Sequence, residues 1–297
     1  MIRIQNTDWH SHSELLSRIR YTVFVEEQQV PPALELDEHD EHADHFLVFS
    51  GDTAVATARL LDDGGVGRMA VLVEHRGQGI GLALMSHIID RGRQLGFERL
   101  HLSAQEHALP FYGRLGFIPV GDSYQDAGIP HRTMTLALNP GPRQAVATEH
   151  FADAAFTCAC QARRRLRIFS QSLEPELYAN TFLVGVISRL ARRHRITGVD
   201  LLMCDDQPLR EGFHPLLALS QKLSSSIELR VVDPIHTSES QHFSVIADDQ
   251  AIFAYGRHKD APGWLAVNSP AQVKEPLESF HRMWPQGTTS PWLRRLP

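Results

Sequence analysis

The sequence predicts two consecutive α/β modules, residues 1–140 and residues 151–297, joined by a linker over 141–150. Three observations carry this reading. The chain has 297 residues, close to twice the roughly 150 of an ordinary domain. Asn139-Pro-Gly-Pro-Arg-Gln-Ala145 is a turn-rich break in the middle. Strand-like and helix-like segments alternate on both sides of it, the pattern of layered α/β architecture. The halves also differ in charge. Residues 1–140 carry 11 basic and 19 acidic side chains, and residues 141–297 carry 18 and 16. So acidic a first module does not suit nucleic acid as its main partner. A hydrophobic content of 42% is enough for ordinary buried cores.

In the first module, residues 2–5 alternate weakly, as an edge strand would. Leu15, Leu16, Ile19, Val23 and Phe24 recur at helical spacing and predict a helix over 12–28, which Pro31-Pro32 cannot continue. An acidic, histidine-rich loop follows, from Glu35 to His45. Phe46–Phe49, Ala54–Leu61 and Gly67–Val73 then read as an antiparallel meander, separated by Ser-Gly-Asp and Asp-Asp-Gly-Gly turns. Ile80, Leu84, Met85, Ile88 and Leu95 mark a helix over 78–95, closed by Gly96. Leu100–Ala104 is a strand, Ala108–Leu115 a short helix stopped by Gly116, and His131–Leu138 a last strand.

The second module opens with a helix over 150–164 and a strand at Leu166–Phe169. Glu176–Arg192 is a helix, Val199–Met203 a strand and 209–223 a helix. Ile227–Val232, Phe243–Ala247 and Ala251–Tyr255 are strands, and 271–284 is a final helix. Strands alternating with helices imply some parallel pairing.

Several classes drop out. Phe182–Ile187, among the longest apolar runs, falls far short of the roughly 20 residues of a membrane span. The first residues hold no apolar signal core. Cys158, Cys160 and Cys204 make a poor disulfide framework. A soluble, cytoplasmic setting is expected.

The strongest chemical feature is Arg76-Gly-Gln-Gly-Ile-Gly81, between an apolar strand and a helix. Gly77, Gly79 and Gly81 remove side chains where backbone N–H groups can approach a ligand, and the helix dipole favours an anion there. By itself such a turn is as readily structural. It is not a nucleotide-hydrolase phosphate loop, because no Lys-Ser/Thr follows, and it lacks the G-x-G-x-x-G order.

The flanks add specificity. Met69-Ala-Val71, four residues, then the glycine turn closely resembles the acetyl-CoA signature of the GNAT family of N-acetyltransferases. Leu102-Ser-Ala-Gln105 and Ala108-Leu-Pro-Phe-Tyr112-Gly-Arg-Leu-Gly-Phe117 resemble that family's next strand and helix, in order and spacing. Val23-Phe-Val-Glu-Glu-Gln28, with Glu35, Asp37, Asp40 and Ala43-Asp-His45, looks like the ElaA/YjcF branch. The resemblance covers 1–140 and implies an α+β fold with a mixed central sheet whose middle strands splay. It implies acetyl-CoA as acetyl donor and an amine acceptor that attacks it directly in a ternary complex. N–H groups of Arg76, Gly77, Gln78, Gly79, Ile80 and Gly81 would hold the pyrophosphate. Backbone groups of Met69, Ala70 and Val71 would pair with the pantetheine arm, with the Val71 N–H polarising the thioester carbonyl. Gln105 would lie beside that arm, and Tyr112 would protonate the departing thiolate. Read structurally instead, Tyr112 is a packed core aromatic.

An attacking amine must be neutral, so a group or a water must take its proton. Glu26, Glu27 and His45 are the candidates, and Glu27 and His45 match the branch pattern. The acidic loop Glu35–Asp44 could attract a cationic amine or simply be a solvated surface. His39, His42 and His45, with Asp40 and Asp44, are zinc-binding residue types. Their irregular spacing without a cysteine leads us to expect no metal.

In the second module, His242-Phe-Ser244-Val-Ile-Ala-Asp-Asp249 keeps the His and Asp spacing of the phospholipase D superfamily, with Gly256 following and Ser244 in place of the lysine. The module resembles a degenerate phospholipase D-like domain over 160–285. Active members pair two such motifs, and a homodimer could supply a second copy but not the lysine. His258-Lys259-Asp260 is too compact to be that motif. Arg163, Arg164, Arg165 and Arg167, and Arg189, Arg192, Arg193 and Arg195, read as solvated helix faces more readily than as an anion surface. Two functions follow: an acetyltransferase confined to 1–140, or an acetyl-CoA-responsive regulatory protein whose second module recognises a phosphate-bearing or macromolecular partner.

Overall fold

The computed structural model describes residues 2–238, 240–257 and 261–294; His258, Lys259 and Asp260 therefore lie outside the described residues. The chain divides into two compact units, residues 1–139 and 140–297.

The first unit carries two sheets. Strands β1 (Ile2–Thr7), β2 (Asp44–Ser50), β3 (Thr53–Leu60) and β4 (Val66–Val71) form an antiparallel sheet in that order. Strands β5 (Arg99–Gln105), β6 (Ile118–Asp126) and β7 (Ile129–Ala137) form a second, ordered β5-β7-β6. Strand β6 had no clear sequence signal, because its outer half Gly121–Asp126 is exposed and polar. The two sheets meet at one parallel bridge, Gly65 to His101. Beyond it β4 and β5 pair no further, so both present open edges along Met69–Val71 and Ser103–Gln105.

Helices cover both faces of the first sheet. Asp8 caps helix α1 (Trp9–Arg20), its carboxylate accepting from the Ser11 N–H at 2.8 Å. The predicted 12–28 helix thus starts earlier, and it ends differently: Tyr21–Glu27 winds on as a π-helix. Leu16, Ile19 and Val23 bury against Leu47, Phe49 and Ala70. Side chains alternate along β2, so Phe46 turns the other way, its ring edge-on to His87 of helix α2 (Ile80–Gln94). Helix α2 buries Leu84, Met85 and Ile88. Helix α3 (Leu109–Gly113) follows β5.

The second unit is built on a seven-stranded mixed sheet. Its strands are β8 (Gln144–Val146), β9 (Arg165–Ser170), β10 (Gly198–Met203), β11 (Ile227–Val231), β12 (His242–Ala247), β13 (Ala251–Gly256) and β14 (Gly263–Ala266), in the order β11-β10-β9-β12-β13-β14-β8. Strands β9, β10 and β11 are parallel, and every residue of β10 is buried, as a doubly covered strand requires. Part of the expected linker is thus an edge strand, since Gln144–Val146 pairs with β14. Helices α4 (Phe151–Cys160), α5 (Pro175–Tyr178), α6 (Thr181–Arg193), α7 (Gln207–Glu211), α8 (Pro215–Lys222) and α9 (Pro270–Met283) complete the unit. The predicted helix Glu176–Arg192 is two, because Asn180 caps a new start, its carbonyl oxygen accepting from the N–H groups of Phe182 and Leu183. Cys158, Cys160 and Cys204 are buried, and none forms a disulfide among the described residues. Among the described residues no helix is long and apolar enough to cross a membrane.

Candidate active site

Between the open edges of β4 and β5 lies a cavity of about 910 Å³. Met69, Ala70 and Val71 line one side, Ser103 and Gln105 the other, with Tyr112 and His131 also on its wall.

Strand pairing decides which backbone groups face this cavity. The Leu72 N–H donates to the Val55 carbonyl at 3.0 Å, and Val71 pairs opposite Ala56. Bonding alternates along an antiparallel strand, so the N–H and C=O of Val71 point away from β3, to the open edge. Its carbonyl there accepts from Arg76 Nε at 2.9 Å. The Val71 N–H is thus turned to the open edge that lines the cavity.

The glycine turn sits at the head of α2. Gly77 and Gly79 have φ of 74° and 81°, a region L side chains rarely adopt. At Gly81 a Cβ would lie 3.4 Å from Met69 Cε and 3.5 Å from the Phe111 ring, ordinary contact distances, so the helix start already packs against β4 and α3 there. The bond from the Ala83 N–H to the Gly79 carbonyl opens the helix, which leaves the N–H groups of Ile80 and Gly81 without intrahelical partners. One expected donor is used internally: the Arg76 N–H donates to the Val73 carbonyl at 3.3 Å. The Gln78 side chain is also engaged, donating to the Glu74 carbonyl.

The Tyr112 hydroxyl has only a weak partner, donating to Met69 Sδ at 3.7 Å. Burial pushes its pKa up to about 12, so it stays protonated. Gln105 Nε2 donates to Gln28 Oε1 at 2.9 Å, tying β5 to the segment after the π-helix.

The structure corrects the proton-acceptor candidates. Glu27 lines the cavity, but its carboxylate is held by both terminal nitrogens of Arg76 at 2.7 and 2.6 Å. Those bonds keep its pKa below the usual range and make it a poor base. His45 is 1% exposed, packed against the Trp9 ring, with Nε2 bonded to the Asp40 carbonyl, and it is not on the cavity wall. Glu26 is exposed and also away from the wall.

The acidic loop turns inward. Arg20, fully buried, donates to Glu35 and to both oxygens of Asp40. Arg59 bridges Asp37 and Asp40 at 2.6 and 2.7 Å, and Arg68 reaches Asp37 at 2.8 Å. Burial raises the pKa of Asp40, but the Arg20 and Arg59 bonds outweigh it and bring it down to about 2. Three of the loop's carboxylates thus neutralise arginines of α1, β3 and β4. Glu38, Glu41, His39 and His42 stay exposed.

The cavity wall also holds a histidine with no sequence signal. His131, at the start of β7 opposite Gln105, is 8% exposed and lines the cavity. Its Nδ1 lies 2.8 Å from the Ile129 carbonyl. A carbonyl only accepts, so Nδ1 carries the proton and Nε2 keeps its lone pair.

In the second unit, His242 opens β12 and Asp249 lies beyond the far end of that strand, so the structure does not bring them together. Asp249 accepts instead from its neighbour Gln250 at 2.8 Å. His242 and Ser244 line a separate cavity of about 300 Å³.

Comparison with known proteins follows this division. Residues 11–138 match the family described as acetyltransferase (GNAT) domain, and residues 147–296 match the domain of unknown function DUF7931. The N-terminal region is 35% identical over 120 residues to the uncharacterised N-acetyltransferase YjcF of Bacillus subtilis, spanning 39% of this chain and 86% of that protein. It is 35% identical over 144 residues to protein ElaA of Escherichia coli, spanning 43% of this chain and 93% of ElaA. The crystal structure of Escherichia coli ElaA aligns over 46% of this chain and 99% of its own, with 34% identity and a TM-score of 0.41. The chain therefore belongs to the GNAT family of N-acetyltransferases through its N-terminal unit, and to the DUF7931 family through its C-terminal one.

Proposed function

We propose that the N-terminal unit transfers an acetyl group from acetyl-CoA to a small primary amine, by direct attack in a ternary complex. The observation that carries this reading is the cavity between β4 and β5, which gathers Met69–Val71, Gln105, Tyr112 and His131 around one space. The N–H groups of Gly77 to Gly81 take the pyrophosphate at the head of α2. The pantetheine arm lies along the open edge of β4, adding a strand-like partner beside Ala70 and Val71. The Val71 N–H donates to the thioester oxygen as negative charge grows on it.

The amine nitrogen attacks the thioester carbon, and the C–N bond forms as the C–S bond breaks. His131 Nε2 takes the proton from the nitrogen, and Tyr112 gives its hydroxyl proton to the leaving sulfur. The proton gained by His131 balances the one lost by Tyr112, so the net transfer is from amine nitrogen to thiol. Water is kept from the thioester by Val23, Phe24 and Phe111, which line the same cavity.

Free-thiol release from acetyl-CoA is the test, measured across a panel of small primary amines and repeated with longer acyl-CoA donors. Amine-dependent release that is fastest with acetyl-CoA is expected. Tight acetyl-CoA binding with no amine-dependent release would overturn the reading in favour of a cofactor-responsive binding protein.

A further inference from the structure

The smaller cavity, about 300 Å³, lies between α9 and the sheet of the C-terminal unit. Strand register builds its floor: Ser244 of β12 pairs opposite Ala254 of β13, which pairs opposite Trp264 of β14, so the three stand in one row on one face. Ordinary sheet–helix packing would fill such a row with apolar side chains. Here Ser244 and, from α9, Ser279 are each 6% exposed and line the cavity instead. The Trp264 ring also lines the cavity, and its Nε1–H, which can only donate, is buried without an acceptor. A buried donor without a partner is rare, and this one, on a side chain that lines the cavity together with two hydroxyls, points to a missing acceptor.

The mouth carries one charge of each sign. Arg143 stacks its guanidinium 4.2 Å above the Trp264 ring and uses Nε to reach Gln272, and its terminal nitrogens have no hydrogen bond among the described residues. Glu275 of α9 lines the same cavity and forms no ion pair among the described residues. His242 stands between these charges. Burial lowers its pKa, the Arg143 charge lowers it further, and Glu275 works against both. With His242 neutral, the lining holds one cation and one anion that do not pair with each other.

We infer that this cavity binds a small zwitterion of the α-amino-acid class, carboxylate toward Arg143 and the hydroxyl floor, ammonium toward Glu275. The volume lies at the small end of ligand sites. A simple oxyanion would leave Glu275 unanswered, and a simple amine would leave the floor donors unanswered.

The test is calorimetric titration of the full-length protein with each of the common α-amino acids, up to about 10 mM, where binding is worth only a few kcal/mol. Each hit is compared with its deaminated acid, its decarboxylated amine and inorganic phosphate. At least one amino acid is expected to bind at least about tenfold more tightly than its one-charge analogues, a difference of about 1.4 kcal/mol. Glu275→Gln should weaken the amino acid about tenfold while leaving its deaminated acid unchanged. Ser244→Ala should weaken both, with an unchanged near-ultraviolet circular dichroism spectrum and thermal unfolding transition of the full-length protein as the sign that the C-terminal unit has folded. If Ser244→Ala fails to fold, Ser279→Ala serves the same purpose. No binding by any amino acid, or equal binding by the deaminated acid or phosphate, would overturn the inference.

Discussion

Arg76 and Glu27 face each other in a two-point ion pair at 2.6 and 2.7 Å, while the same guanidinium donates through Nε to the Val71 carbonyl. One side chain thus ties the π-helix, the end of β4 and the glycine turn together at the cavity mouth. It also occupies the Glu27 carboxylate, which would have to give up that pair to accept a proton. Glu27→Gln should therefore raise KM for acetyl-CoA a few-fold and change kcat by less than about threefold, because a positioning contact is lost and no proton step is. Steady-state kinetics decide it, and a hundredfold fall in kcat would return Glu27 to the chemistry. Both partners are substantially exposed, so the pair contributes at most about 1 kcal/mol to stability.

His131→Gln should lower kcat by roughly 10²- to 10⁴-fold, the usual worth of a positioned general base. Substrate KM should change little. A fall in kcat of less than about threefold would assign the proton to another group.

Tyr112→Phe should cut turnover by at least about tenfold and leave acetyl-CoA affinity within about twofold, because the hydroxyl acts on the leaving sulfur as its charge develops. Burial holds the tyrosine pKa up near about 12. An alkaline limb in the wild-type profile at mildly basic pH therefore comes from another group and should survive in the variant. Pre-steady-state thiol release with equilibrium binding checks both parts.

Asp40→Ala should destabilise the N-terminal unit by roughly 3–5 kcal/mol, since it strands the buried Arg20 and leaves Arg59 half-paired. The pH dependence has a definite sign. The folded-state pKa of Asp40 is depressed from 3.8 to about 2. Its contribution of about 2 kcal/mol is therefore present above the unfolded value and lost as pH falls from about 4 to about 2. Urea unfolding of wild type and variant across that window should show the difference between them shrinking toward acid pH.

The local devices of the site were legible in the residues themselves. A positive φ at Gly77 and Gly79 is a property of glycine, an amphipathic period places Ile80, Leu84 and Ile88 on one side of α2, and Asn139-Pro-Gly-Pro marks the break between units. These are short-range effects, so a window of a few residues contains their cause. The direction in which a polar side chain points across the fold has no such local cause. Asp37 and Asp40 read as solvent-facing acids until Arg20, Arg59 and Arg68 arrive from elements up to 31 residues away. His45 fits the family pattern yet turns inward, while His131 gains its place only because β7 pairs with β5 in a register that sets it opposite Gln105. The same holds in the C-terminal unit, where His242 and Asp249 keep a motif's spacing but fall at opposite ends of β12. Sequence by itself determined the two α/β units, the glycine turn and the edge strand beside it. The tertiary structure alone decided which acids are neutralised, which histidine faces the cavity and that the buried Trp264 N–H is left without a partner among the described residues, because long-range pairing and burial set those contacts and no nearby residue encodes them.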